Sequence, residues 1–255
     1  MIHQKAEAGF SRAAEAYDRG RPTYPQAAIR YLIEALDLRP GRRLIDLGAG
    51  TGKLTRLLAP SGADILAVEP VEAMRERLRA DLPGVDAIDG VAERVPVPDA
   101  SADVVVVAQA FHWFDGPRAL AECHRILRPD GWLALVWNER DERVAWVSEL
   151  TRIMAPFEDG TPRVRSGRWR EAFTGAPFEP LSQRTFANVQ QGGPDMVCDR
   201  VASVSFIAAL PEADRMRVIG QVRDLLATAP ETRGRSVLEL PYETHVHTTR
   251  PLPAA

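Results

Sequence analysis

Lysine and cysteine are scarce in this chain of 255 residues. Lys5 and Lys53 are the only lysines, so arginine supplies almost all of the positive charge, a bias that we attribute to a GC-rich coding sequence. The two cysteines, Cys123 and Cys198, lie far apart in different segments. We therefore predict neither a disulfide framework nor a cysteine-based metal site.

Long apolar runs and a strong net charge are also absent. No run approaches the length that spans a membrane, and the opening MIHQKAEAGF has no apolar core for a signal peptide. The formal net charge is only −3, so no overall field draws the chain to nucleic acid or to anionic lipid. We expect a globular, cytoplasmic protein that binds neither nucleic acid nor membrane, and its oligomeric state is left open.

Apolar strands and amphipathic helices alternate along the first half of the chain. Helical spacing over residues 25–38 precedes a strand at 44–47, and a second strand at 63–70 precedes a helix at 71–82. The unbroken β-branched centre of residues 101–111 is typical of a strand buried on both faces. Strands separated by helices indicate parallel pairing through right-handed crossovers, so we predict a doubly wound α/β sheet.

The second half follows a looser pattern. We predict a short strand at 85–88, a helix at 119–131 stopped by Pro129 and Gly131, a strand at 132–139, a helix at 142–157, a strand at 181–190, helices at 196–209 and 212–227, and a last strand at 237–248. The two late helices form an insertion between the last two strands, where insertions tend to cover a substrate pocket. We expect one domain over residues 1–255, divided into an N-terminal lid (1–40), a cofactor-binding core (41–140) and a substrate side (141–255).

Glycines alternate in the stretch LIDLGAGTGK, residues 44–53. A dinucleotide fingerprint counted from Gly48 needs a sixth-position glycine where Lys53 stands, and counted from Gly50 it needs one where Thr55 stands. A phosphate-binding P-loop ending at Lys53 lacks its first glycine and its following Ser or Thr. The loop therefore fits neither phosphate-binding template.

Two carboxylates accompany this loop. Asp46 lies at its mouth, where a pyrophosphate on helix N–H groups gains nothing from a negative charge, whereas a cationic ligand does. S-adenosylmethionine carries a sulfonium and an ammonium on the part that would lie over the glycines. Glu69 ends the second strand about twenty residues later, a position typical of the carboxylate that binds ribose hydroxyls. The pair favours a positively charged adenosine cofactor.

The chain resembles class I S-adenosylmethionine-dependent methyltransferases in four successive motifs, LIDLGAGTGK, AVEP, GVAERVPVPDASADVVVVAQAFHWFD and HRILRPDGWL. It is similar to the type 11 group, which includes trans-aconitate-methyltransferase-like proteins, in YDRGRPTYP, AFHWFD, VWNERDE and SFIAALPEADR. The resemblance covers residues 10–248 and implies a mostly parallel, seven-stranded, Rossmann-like sheet whose last strand is antiparallel. It implies S-adenosylmethionine as cofactor, S-adenosylhomocysteine as product and a small-molecule methyl acceptor that it does not identify.

By the same resemblance, one set of residues lines the cofactor from its methionine half to its adenine. These residues are Asp46, Gly48, Ala49, Gly50 and Thr51 at the methionine, Glu69 at the ribose, Pro70, Met74, Ala92 and Glu93 at the adenine, and Gln109 and Ala110 at the methionine and sulfonium. These assignments follow from the motif match alone.

His112 is the candidate catalytic residue. It follows the strongest strand, beside Trp113 and Phe114, and its ordinary pKa lies near neutral pH. Methyl transfer from a sulfonium needs a base only if the acceptor must lose a proton, and a carboxylate acceptor needs none. We therefore weigh a general base at His112 against a structural, hydrogen-bonded histidine that packs under a lid.

Other residues are weaker candidates for the acceptor pocket. They are Tyr17, Arg21 and Tyr24 on an N-terminal lid, Trp113, and Asn138, which either orients substrate or caps the next helix. The arginines of residues 163–170 either bind an anion or form a solvated face. His245 and His247 share one face of a strand, but no third ligand is near in sequence, so no metal site is predicted.

Two alternatives to a methyltransferase remain at this point. A nicotinamide-dependent oxidoreductase is disfavoured by Lys53 in place of the third glycine and by Asp46. A regulator that kept the cofactor site and lost the chemistry has the same motifs. A comparison of S-adenosylhomocysteine binding with NADH binding separates the first alternative from a methyltransferase.

Overall fold

The structure, a computed structural model, describes residues 20–158 and 160–253. The helices among these residues are α1 (Gln26–Ala35), α2 (Lys53–Leu58), α3 (Glu72–Asp81), α4 (Gly116–Ile126), α5 (Ala145–Met154), α6 (Pro194–Ala202), α7 (Ser205–Ala208) and α8 (Glu212–Thr228). The strands are β1 (Arg43–Leu47), β2 (Asp64–Val68), β3 (Asp86–Ile88), β4 (Ala102–Ala108), β5 (Leu127–Arg140), β6 (Ser182–Gly192) and β7 (Leu238–Thr249).

These strands form one sheet in the order β3-β2-β1-β4-β5-β7-β6. Strands β1 to β5 pair in parallel, whereas β7 is antiparallel to both β5 and β6. The predicted α/β sheet, mostly parallel with an antiparallel last strand, is therefore confirmed. The strand order reverses between β1 and β4, and such a switch point is where open α/β sheets bind their ligands.

Strand β4 lies at the centre of the sheet because its sequence can be buried on both faces. Residues Val104–Val107 have no solvent exposure. Alternate valines pack on opposite sides, with Leu32 of α1 on one face and with Leu120 of α4 on the other. An unbroken β-branched run is what a two-sided core needs.

The boundary between α4 and β5 differs from the predicted one. The helix ends at Ile126, and Leu127 is already extended, with φ −73° and ψ 141°. Because Pro129 disfavours the helical region at Arg128, the helix cannot continue to Gly131. The prediction of a helix through residue 131 was therefore wrong, and β5 begins five residues earlier than the apolar run starting at Trp132.

Helices α6, α7 and α8 lie between β6 and β7, as the insertion was predicted to do. They share a second core with α5, in which Leu150 packs with Val197 of α6 and Val222 of α8. Arg200 of α6 lines a cavity together with residues that follow β1 and β4, so the insertion reaches the switch point. No helix in the described part of the chain combines the length and apolarity needed to cross a membrane.

Candidate active site

Asp46 is buried beneath the glycine loop, near the end of β1. It is 1% exposed, and its Oδ2 accepts a hydrogen bond from Thr55 Oγ1 at 2.5 Å. Its Oδ1 is buried without a hydrogen-bond partner. Burial raises the pKa of Asp46 to about 6, against the opposing Thr55 hydrogen bond. A nearby cation would favour the ionised carboxylate.

The glycine loop turns sharply at Gly48 and Gly50, which have φ values of 72° and 57°. The N–H of Gly48 donates to Val68 O at 2.8 Å, so the loop is fixed to the end of β2. A Cβ on Gly48 would lie 2.9 Å from the Ala110 Cβ and 3.2 Å from Phe114 Cζ. Only glycine therefore allows this close approach to the chain that follows β4.

Glu69 fixes the loop from the end of β2. Its Oε2 accepts from the Gly50 N–H at 2.8 Å and its Oε1 accepts from the Val71 N–H at 2.9 Å. Burial raises the pKa of Glu69, and these two backbone hydrogen bonds oppose the shift. Each carboxylate oxygen can accept a second hydrogen bond, so the group retains capacity for a diol.

The residues assigned to the adenine come from the chain after β2 and the chain after β3. Pro70 follows Glu69 directly, Met74 and Ala92 are buried, and Met74 Sδ would lie 3.8 Å from a Cβ on Gly50. The Glu93 Oε1 accepts from the Asp115 N–H at 2.9 Å, at the start of α4. Sequence reasoning missed this structural contact of Glu93, because its partner is remote in the chain.

The chain after β4 contributes Gln109 to the site. Gln109 has φ 58°, in the left-handed region that non-glycine residues rarely adopt. Its N–H donates to Val136 O at 2.8 Å, which continues the pairing with β5 beyond the end of β4. Gln109 and Ala110 thus stand directly across from the glycine loop.

Residues 20–24, which we call the strap, lie over the glycine loop. Arg21 and Tyr24 belong to the strap and line the cavity at the loop, and Tyr17 lies outside the described residues. The Lys53 Nζ donates to Arg21 O at 2.9 Å, so the lysine that replaces a third glycine holds the strap in place.

Asn138 attaches the strap to β5. Its Nδ2 donates to Thr23 O at 3.1 Å, and its Oδ1 accepts from Asn188 Nδ2 and Thr244 Oγ1. Its alternative role as a helix cap is wrong, because α5 begins at Ala145 without a side-chain cap.

Two cavities meet at this edge of the sheet. The glycine-loop cavity has a volume of about 60 Å³ and is lined by residues 48–51 and the strap. The larger one, which we call the arginine cavity, has a volume of about 410 Å³. Its lining includes Arg21, Arg140, Arg163, Arg165, Arg200 and His112. Trp113 lies on its wall, and Arg21, Gln109, Asn138 and Arg200 line both cavities.

The arginine run of residues 163–170 is divided by the fold. Arg163 and Arg165 line the arginine cavity, whereas Arg170 stacks on the Trp169 ring, 4.3 Å from its centroid. Arg140 and Arg200 were missed by sequence reasoning. They are 60 residues apart in sequence and come together through Tyr242 of β7, which contacts Arg200 and pairs with Arg140, so no local motif could have indicated them.

The two late histidines have different surroundings. His245 lies within 4.0 Å of the carboxylates of Glu139 and Glu243. His247 is 3% exposed and packs against Trp137 and Trp169. Across the described residues, no cluster of three or more His, Cys, Asp or Glu side chains is arranged to hold a metal ion.

His112 lies in the turn Phe111–Trp113 after β4. The Trp137 Nε1 donates to its Nδ1 at 3.3 Å, and because a neutral imidazole has one N–H, the hydrogen is then on Nε2. Burial, followed by repulsion from Arg21 and Arg163, lowers the pKa of His112 to about 3. This geometry favours a hydrogen-bond donor over a proton acceptor at neutral pH.

We expect His112 to make folding stability depend on pH in acid. Because its pKa falls from 6.5 to about 3 on folding, its stabilising contribution is present above pH 6.5 and is lost as the pH falls towards 3. The free energy of unfolding is measured with urea at pH 7 and at pH 4.5. Between these values it should fall by about 2 kcal/mol more in wild type than in His112→Gln. Equal losses would contradict a buried, neutral His112.

The polar groups of the site fit a cationic nucleoside cofactor. Asp46 has a buried oxygen without a partner, Glu69 retains acceptor capacity, and a Cβ on Gly50 would meet only Met74. The glycine-loop cavity is smaller than the several hundred Å³ of typical ligand pockets. The strap borders this cavity, and Phe114 lies against the loop at Gly48.

Comparison with known proteins adds independent evidence. A family model described as "Methyltransferase domain" matches residues 45–135. An uncharacterized methyltransferase of Mycobacterium bovis is 43% identical over 235 residues, which cover 92% of this chain and 92% of that protein. An uncharacterized methyltransferase-like protein of Schizosaccharomyces pombe is 32% identical over 246 residues, covering 96% of each chain.

A solved structure shares the fold. It is a protein described as a type II methyltransferase from Anaeromyxobacter dehalogenans, with a TM-score of 0.68, 26% sequence identity and coverage of 92% of this chain and 99% of that one. The similarity to these relatives and to this structure extends over most of the chain, well beyond the glycine loop. Membership of the family implies use of S-adenosylmethionine. The trans-aconitate-methyltransferase-like subgroup stays a prediction. This chain belongs to the class I S-adenosylmethionine-dependent methyltransferases.

Proposed function

We propose that this methyltransferase transfers the methyl group of S-adenosylmethionine to a small-molecule acceptor by in-line displacement. The observation that carries the proposal is the junction of the two cavities. Arg21, Gln109, Asn138 and Arg200 line both the glycine-loop cavity and the arginine cavity. A donor on the glycine loop and an acceptor in the arginine cavity would therefore meet at these four side chains.

The residues of the glycine loop would hold the donor. Asp46 offers negative charge to the methionine half, Glu69 offers acceptors to the ribose, and Gly48 allows the backbone to pass close beneath. Met74 and Ala92 supply a buried apolar wall for the adenine. When bound, S-adenosylmethionine supplies a methyl group on a positively charged sulfur, which leaves as a neutral thioether.

The residues of the arginine cavity would position the acceptor. Holding two reactants in line contributes much of the acceleration in a reaction of this type, and exclusion of water protects it. The strap closes the site through Lys53, Asn138 and Asn188, whose side chains all donate to its backbone carbonyls. His112 would donate its Nε2–H to the acceptor and hold its orientation, and a carboxylate acceptor would take the methyl group without losing a proton.

Titration calorimetry tests the donor assignment. S-adenosylhomocysteine is expected to bind and NADH is not. Glu69→Ala should weaken the binding of S-adenosylhomocysteine by about 1–3 kcal/mol, because the ribose and the Gly50 N–H both lose an acceptor. Asp64→Ala is the matched control, since Asp64 lies on the same strand with a 63% exposed side chain. Binding of NADH, or equal affinity in Glu69→Ala and wild type, would contradict the assignment.

A labelling experiment separates an enzyme from a cofactor-binding regulator. The protein is incubated with S-adenosylmethionine that carries an isotopic label on its methyl group, together with a metabolite extract. Transfer of label to one compound is expected, and its identity names the acceptor. Binding of S-adenosylhomocysteine without any transfer from such extracts would favour the regulator.

A further inference from the structure

Two guanidinium groups in the arginine cavity have no acidic partner among residues 20–158 and 160–253. Arg200 is 6% exposed, and its Nη1 is buried without a hydrogen-bond partner. Arg140 is partly buried, and its Nε is likewise enclosed and unpaired. In the described part of the chain, no carboxylate lies within 4.0 Å of either group. Buried cations are ordinarily paired, since an unpaired one is costly.

The carboxylates around this cavity are engaged elsewhere. Glu142 accepts from Arg165 at 2.6 Å, Glu243 accepts from Arg143 at 2.7 Å, and Glu139 lies 3.6 Å from His245. Of the other arginines that line the cavity, Arg163 is paired with Glu158, Arg165 is paired with Glu142, and Arg21 donates to Ser203 O at 3.1 Å. Arg140 and Arg200 therefore carry positive charge that no carboxylate of the described residues balances.

Tyr242 brings these two arginines together. It is 2% exposed and lies opposite Arg140 in the β5–β7 register, so both side chains project from the same face of the sheet. The Arg200 Nε donates to the Tyr242 hydroxyl at 3.1 Å, and that hydroxyl donates to Gln190 Oε1 at 3.3 Å. Tyr242 therefore acts as a positioning residue for Arg200.

Because the two guanidinium groups lie close together, their positive charges repel each other. Burial, followed by the charge on Arg200, lowers the pKa of Arg140 to about 9, against smaller opposing effects of Tyr242 and Glu142. A guanidinium with this pKa still carries its charge at neutral pH. An anion between the two groups would relieve both the repulsion and the missing hydrogen bonds.

We infer that Arg140 and Arg200 bind an anionic group of the methyl acceptor, so that the acceptors are small organic acids carrying a carboxylate or a phosphate. The assignment of the bound anion to the methyl acceptor rests on the proposed function, but the anion site itself does not depend on it. Arg200 also lines the glycine-loop cavity, which places the anion next to the donor. Val204 and Phe206 form an apolar wall of the same cavity, suited to the carbon skeleton of such an acid.

Anion binding to the intact chain tests the site. Sodium succinate, sodium phosphate and sodium chloride are compared at equal ionic strength by thermal unfolding and by titration calorimetry. Succinate or phosphate should raise the melting temperature of wild type by more than that of Arg140→Met, a comparison that removes the general stabilisation by these salts. The anion with the larger difference identifies carboxylate or phosphate chemistry. Arg140→Met and Arg200→Met should each weaken this binding at least about tenfold, as expected for lost charge-assisted hydrogen bonds. Arg152→Met is the control, because its 77% exposed side chain is paired with Glu149 and neither residue lines the cavity.

The outcomes separate this inference from the proposed function. No excess stabilisation by succinate or phosphate, or unchanged anion affinity in Arg140→Met, would overturn the inference whether or not S-adenosylhomocysteine binds. If wild type bound the anion but did not bind S-adenosylhomocysteine, only the proposed function would be overturned. Replacement of a buried, unpaired charge by methionine tends to preserve folding, and if Arg200→Met did not fold, Arg140→Met would decide the question.

Discussion

Gly48→Ala should reduce the affinity for S-adenosylhomocysteine at least about thirtyfold in a chain that still folds. The added Cβ would lie 2.9 Å from Ala110 Cβ, closer than non-bonded carbons approach, on a residue whose φ is 72°. The left-handed conformation costs about 1–2 kcal/mol for a non-glycine residue, and relief of the overlap costs about 1–3 kcal/mol more. To relieve the overlap, the loop must move away from the chain after β4. Each 1.4 kcal/mol that this distortion costs in the bound state lowers the affinity tenfold.

Gly41→Ala separates conformational strain from close approach. Gly41 has φ 85°, but a Cβ there would have no atom within 4 Å. This control should lose about 1–2 kcal/mol of unfolding free energy and keep full affinity in calorimetry. If Gly48→Ala bound S-adenosylhomocysteine as tightly as Gly41→Ala does, close passage of the backbone at Gly48 would have no part in cofactor binding.

Trp137→Ala should lower the unfolding free energy by about 3–5 kcal/mol, the range for removal of a large buried aromatic side chain. Trp137 has no solvent exposure, and its ring centroid lies 4.5 Å from that of Trp169. The substitution also removes the donor to His112 Nδ1, so the imidazole is no longer held in one tautomer. Stability and the orientation of His112 are therefore expected to change together.

Trp132→Ala on the same strand is the matched control for urea unfolding. Trp132 is partly buried and stacks with Arg250, whose guanidinium carbon lies 4.1 Å from the ring centroid. Its removal should cost about 1–2 kcal/mol, since the ring is only partly buried and a cation–π contact contributes about 0.5–2 kcal/mol. Similar losses in the two variants would mean that the core around Trp137 can collapse into the space left by its ring.

The parts of the fold that depend on local sequence could be predicted. The valine run of β4 can be buried only between two layers, and the glycines with Glu69 occupy consecutive strand ends, so motif spacing alone brings them to one edge. The strand order and the position of the late helices were also predictable, because right-handed crossovers and the family resemblance leave few alternatives.

The acceptor side could not be predicted in the same way, because its contacts join residues that are remote in sequence. Arg200 reaches Tyr242 from the insertion, and Asn138 meets Thr23 from the other end of the chain. The boundary error at β5 has a different origin. Helical periodicity continues through Arg128, whereas the steric effect of Pro129 acts on the residue before it and ends the helix early.

The antiparallel last strand has an evolutionary consequence. Because β7 returns to the sheet between β5 and β6, Tyr242 reaches the acceptor side after the insertion rather than before it. The proposed donor contacts come from β1, β2 and the chain after β4, whereas Arg140 and Tyr242 come from later in the chain and do not line the glycine-loop cavity. Under the proposed function, mutations of Arg140 or Tyr242 can therefore change the acceptor side while the residues that would bind the donor stay the same.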